Sequence, residues 1–149
     1  MTLQESSIFI GLRRLRRKLY QAQFLMMKTD RIIYGTPMMQ EVKAALKAYI
    51  KAFKVSSRDR KLEHLEESIA EYAALRDDIE FCVEENIIHY AKRKPKHPQT
   101  ATPDEFVNSQ KMELFMLVAR IDDDMCKWEA NLKKGKTLVE SQTLETKAD

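Results

Sequence analysis

Residues 36–72 read TPMMQEVKAALKAYIKAFKVSSRDRKLEHLEESIAEY, and this stretch decides the fold. Met38, Val42, Ala45, Leu46, Tyr49 and Phe53 recur in steps of three and four, the period of one helix face. Thr36-Pro37 supplies an N-cap and a proline at the first helical position, so a helix is expected over 37–55. A second period, through Leu62, Leu65, Ile69 and Tyr72 and on to Ile79 and Val83, begins after only Ser56-Ser57. So short a connection makes the two helices antiparallel neighbours.

The same pattern extends to both sides. Leu12, Leu15, Leu19, Ala22 and Leu25 predict a first helix from about Glu5 to Lys28, with Gly35 marking the break before the next. The third helix is expected from Arg58 to about Tyr90, where the proline-broken loop 92–99 ends it. Thr102-Pro103-Asp104-Glu105 is a capping box, and Leu114, Phe115, Val118, Ile121, Met125, Trp128 and Leu132 form the stripe of a fourth helix stopped by Gly135. The expectation is an all-α, antiparallel up-down-up-down four-helix bundle over 1–134, with 135–149 a disordered polar tail.

Composition agrees with this class. The chain has 149 residues, three glycines and four prolines, and it is rich in strong helix formers. No run of about 18 apolar residues is present, so no membrane span is expected. Residues 8–10 are too short an apolar core for a signal peptide. Cys82 and Cys126 lack CxxC spacing and read as reduced, packed thiols of a cytoplasmic protein.

The net charge of +3 conceals a division. Residues 1–61 hold 14 Lys/Arg against 4 Asp/Glu, whereas residues 62–149 hold 12 against 19. Three basic elements stand out. They are RRLRRK (Arg13, Arg14, Arg16, Arg17 and Lys18), a rail along one side of the second helix (Lys43, Lys47, Lys51 and Lys54), and the loop residues Lys92, Arg93 and Lys94. The rail reads equally as a solvated face, as a surface paired with the acids of a neighbouring helix, or as a track for phosphates, which need only positive density. Tyr20, Tyr90 and His97 are candidates to stack on unpaired bases. Ala44, Ala48 and Ala52 form a further stripe that suits close helix approach, within the subunit or between subunits.

Chemistry beyond charge is sparse. Glu-x-x-His pairs of a di-metal carboxylate bundle are absent, and His64-Leu65-Glu66-Glu67 has the reverse order. Asp122-Asp123-Asp124 point 100° apart on a helix and do not converge on one cation. No glycine-rich phosphate loop and no nucleophile–base pair is apparent. Met38, Met39, Met112, Met116 and Met125 read as adaptable core filling. No catalytic residue, metal or cofactor is expected.

The segments YGTPMMQEVKAALKAYIKAFKV, LEHLEESIAEYAALRDDIEFCVEENII and MELFMLVARIDDDMCKW, within Tyr34 to Trp128, resemble a bacterial four-helix-bundle family. It comprises the accessory variability determinants of diversity-generating retroelements and the proteins encoded within 23S rRNA intervening sequences. The resemblance implies a homopentameric barrel with a central channel. It also implies a non-enzymatic accessory that binds the element's reverse transcriptase and its template RNA or cDNA during mutagenic reverse transcription. Arg13, Arg14, Arg16, Arg17, Lys43, Lys47 and Lys51 fit the implied contact surface. The alternative is a structural, homo-oligomeric interaction module whose basic and acidic faces pair between subunits, without nucleic acid.

Overall fold

The computed structural model describes residues 1–89 and 103–148. Four long helices dominate the described residues, which contain no strand: α1 (Ser7–Gln23), α2 (Thr36–Lys54), α3 (Arg58–Glu84) and α4 (Pro103–Ala148). α1 packs against α2 and α4, and α3 packs against the same two, so the four helices close a ring around one core. Leu12, Leu15, Met38, Val42, Leu65, Leu75, Ile79, Ile121 and Met125 fill it. The apolar stripes read from the sequence are therefore the buried faces, with Phe53, Ile69, Phe115 and Trp128 half-buried at its edge.

Polar contacts fix the neighbours. The Ser68 hydroxyl donates to the Ala45 carbonyl at 2.8 Å, and Lys61 Nζ donates to the carbonyls of Ala52 and Phe53 at 3.1 and 3.0 Å. Lys61 thereby satisfies carbonyls at the end of α2 that lack intrahelical partners. Across α3 and α4, the Tyr72 hydroxyl donates to the Val118 carbonyl and Arg76 pairs with Asp122 at 3.0 Å. Gly11 of α1 faces Ile121 of α4 so closely that a Cβ there would lie 2.8 Å from Ile121 Cγ1. Ala48 and Ala52 are buried and Ala44 half-buried within the single chain, so close packing inside the bundle accounts for the alanine stripe.

Several expected boundaries move. α1 starts at Ser7 because Ser6 is its N-cap: the Ser6 hydroxyl accepts from the Phe9 amide and also bonds the Tyr49 hydroxyl. α1 ends at Gln23, where successive i→i−3 bonds tighten the chain and Arg31 Nε donates to the Gln23 carbonyl at 2.9 Å. Thr36 is not a cap. A helical turn at Lys28–Asp30 and a π-type turn at Arg31–Gly35 deliver the chain to Thr36 already helical, and the Thr36 hydroxyl donates back to the Arg31 carbonyl at 3.4 Å. Gly35 serves close approach rather than a break, since a Cβ would lie 3.2 Å from Gln23 Cγ and 3.3 Å from Met26 Sδ.

α3 stops at Glu84, short of Tyr90. Asn86 takes φ 53°, the Ile87 amide donates to the Cys82 carbonyl at 2.9 Å and the Asn86 amide to Val83 at 3.2 Å. This is a Schellman closure, with asparagine in the left-handed position that glycine more often fills. The His89 amide then donates to the Leu25 carbonyl at 2.8 Å, tying this exit to the end of α1. Gly135 does not stop α4, which continues to Ala148 through the segment expected to be a disordered tail. A lone glycine weakens a helix by about 1 kcal/mol without ending it, and no proline or positive φ follows. The threonine of the expected capping box, Thr102, lies outside the described residues.

Candidate nucleic-acid interface

Along α1, Phe9, Arg13, Arg16, Arg17, Tyr20 and Phe24 follow one another by helical steps, so their side chains line one flank. Here lies an open groove of about 540 Å³, walled by Phe9, Ile10, Tyr20 and Met39 and by all four arginines of residues 13–17. Met39 belongs to α2, so the groove runs to the α1–α2 seam. Arg16 also lines a second hollow, of about 300 Å³, whose other walls are Lys43, Leu46, Lys47, Ile50 and Lys51. The ring order of the bundle thus joins two basic elements that lie about 30 residues apart in sequence. No carboxylate lines either hollow.

Arg13, Arg14, Arg16, Arg17, Lys43, Lys47, Lys51 and Lys54 make no ion pair among the described residues, and all but the half-buried Arg16 are exposed. Arg13 sits over the Phe9 ring at 5.6 Å, a cation–π contact that leaves its charge available. Lys18 differs: its Nζ pairs with Glu113 of α4 at 2.8 Å. Arg14 and Lys18 share a smaller hollow on that side with Glu113, Met116 and Arg120. Lys54 belongs to the last turn of α2, where a cation also suits the helix dipole. Lys92, Arg93 and Lys94, with Tyr90 and His97, lie outside the described residues.

The acids of α3 face elsewhere. Glu63 and Glu67 are exposed, while Glu71 and Asp78 turn toward Glu41, the single carboxylate of α2. Burial first, then the adjacent Asp78 and Glu71 carboxylates, push the Glu41 carboxyl up to about 8. Its Oε2 is shielded from solvent and has no hydrogen-bond partner among the described residues. Acid on α3 is therefore matched to acid on α2, and no carboxylate among the described residues pairs with the lysine rail.

Other candidates separate in the fold. Asp122 pairs with Arg76 at 3.0 Å and Asp123 with Lys127 at 2.9 Å, so consecutive aspartates diverge. His64 lies 3.8 Å from Glu67, and among the described residues no cluster of three or more His, Cys, Asp or Glu is able to hold a metal. Cys82 is buried, which pushes its thiol up to about 11, but Cys126 is exposed rather than packed. Its position beside Asp122 puts it just off the apolar stripe. Met112 and Met116, expected in the core, are exposed on α4, whereas Met38 and Met125 are fully buried. Among the described residues no helix is long and apolar enough to cross a membrane.

Sequence reading missed the groove's apolar lining. Ile10 and Met39 come from different helices; only Tyr20, a stacking candidate in the sequence, and its helical spacing from Phe9 signalled part of it. No protein-family model, curated protein or solved structure matches the chain.

Proposed function

We propose that the chain is a non-enzymatic, nucleic-acid-binding accessory protein of a bacterial diversity-generating retroelement. In this reading it is cytoplasmic, antiparallel and up-down-up-down, and it docks the element's reverse transcriptase as a homo-oligomer, a pentamer by resemblance. The observation that carries the reading is the acid-free face on which Arg16 joins the α1 arginines to the α2 lysines. Unpaired cations on a rigid surface release counterions from phosphates on binding and need no base-specific contact. The antiparallel order is supported by contacts that run in opposite senses, Ala45 with Ser68 and Ala52 with Lys61, then Glu66 with Lys133 and Arg76 with Asp122. The retroelement and its polymerase enter through the resemblance of residues 34–128.

Four or five contacts to duplex phosphates give a slope of about −4 in log K against log salt, and about −3 on a single strand. Titration of template-length RNA at rising salt measures it, and a binding constant unchanged from low to moderate salt sinks the reading. A second reading, a structural homo-oligomeric module, is favoured by the exposed Met27, Ile32 and Ile33 between α1 and α2. The combined variant Lys43→Glu, Lys47→Glu, Lys51→Glu separates the two. Native oligomer mass with lost RNA retention supports the nucleic-acid reading; loss of mass supports the module.

A further inference from the structure

We infer that the α1 groove selects single-stranded over duplex polynucleotide, taking unpaired bases on its aromatic flank while the lysines of α2 hold the strand's phosphates. The inference rests on the nucleic-acid reading above and specifies its ligand. A purely electrostatic face for duplex needs cations alone. Here the arginines are bracketed by rings: Phe9 precedes Arg13, and Tyr20 and Phe24 follow Arg17, with Phe9 and Tyr20 about 16 Å apart along the helix.

Phe9 is half-buried against the core at one end of the groove, while Tyr20 at the other end, with Phe24 just beyond it, is presented to solvent. Tyr20 is 56% and Phe24 64% exposed, and they hold each other edge-to-face at 5.3 Å. Each end of the stripe also has a guanidinium against a ring, Arg13 on Phe9 at 5.6 Å and Arg31 on Phe24 at 5.8 Å. Aromatic faces and guanidinium planes are the surfaces on which splayed bases stack, without regard to sequence. Stacked bases inside a duplex offer no such face, so duplex binding leaves Tyr20, Phe24 and Ile10 uncovered. Arg16, common to both hollows, is where a strand passes from the aromatic groove to the lysine track.

Fluorescence anisotropy with labelled oligothymidylate, its abasic counterpart and a duplex of equal length tests this. Oligothymidylate is expected to bind about tenfold more tightly than either of the other two, the gain of one stacked base. Tyr20→Ala removes that advantage and leaves the duplex affinity and the salt slope unchanged, while Tyr20→Phe preserves it. Equal affinity for all three probes, or a Tyr20→Ala variant that binds oligothymidylate as the parent does, overturns the inference and leaves the nucleic-acid reading intact. Absence of salt-dependent binding to any probe overturns both.

Discussion

Glu41 is the one acid among the lysines of α2, and its surroundings decide when it carries charge. Burial and the facing Asp78 and Glu71 raise its carboxyl from 4.5 to about 8. A raised carboxyl means that the folded chain holds a proton the unfolded chain releases. Its contribution to stability is therefore complete below about pH 4.5 and is lost as the pH rises through about 8. Because the side chain is only half-buried, solvent screening reduces the effect to about 1 kcal/mol. Glu41→Gln removes the ionisation, so its thermal midpoint should match the parent near pH 5 and exceed it by roughly 2–4 °C at pH 9. Melting curves across that range check this; parallel pH profiles would rule it out. Nothing in the sequence announced the pair, because Glu41 and Asp78 are 37 positions apart and meet only through the register of α2 on α3.

At the scale of elements, α2 and α3 meet through small residues. Ser68 reaches the Ala45 backbone, Lys61 reaches Ala52, and Ala48 and Ala52 are almost wholly covered. Ala48→Leu adds three carbons to a filled seam and should destabilise the fold by about 1–3 kcal/mol. Denaturant unfolding measures that loss. A variant that instead keeps its stability and changes its oligomeric mass would mean that the alanines face another subunit. The helices themselves were legible, since every stripe chosen by period has its central residues in the core. Their ends were not. The π-type turn before Thr36 depends on Gly35 fitting against Gln23 and Met26, and the stop at Glu84 depends on Asn86 and on a bond from His89 to Leu25. The fit of Gly35 and the His89–Leu25 bond join separated positions that local capping signals do not encode, whereas Asn86 is a local stop signal that the proline-broken loop further on overshadowed. Cys126 and Met116 each sit one position off the stripe of α4, where a small error in helix phase decides between core and solvent, and Met112 precedes the first member of the stripe.

For the molecule as a whole, the division of charge along the chain becomes a division of surfaces. The basic elements were visible as runs, but the joining of two of them, the α1 arginines and the α2 lysines, was not, because it requires α1 beside α2 and the acids of α3 turned away. The result is a field of unpaired positive groups that repel one another, and a polyanion should relieve that repulsion while binding only the folded state. A generic polyanion such as heparin at 100 times its dissociation constant adds about 2.7 kcal/mol. In a domain of this size that corresponds to a rise in thermal midpoint of roughly 5–10 °C, falling as salt is added. The variant with Lys43, Lys47 and Lys51 each changed to glutamate should lose most of the rise. It should also melt no earlier than the parent without polyanion, because all three side chains are exposed and unpaired. Scanning calorimetry with and without heparin distinguishes the outcomes. If the glutamates lower the unliganded midpoint, the lysines are partners in an interface of the folded assembly; if they abolish only the shift, the face is open and awaits an anion.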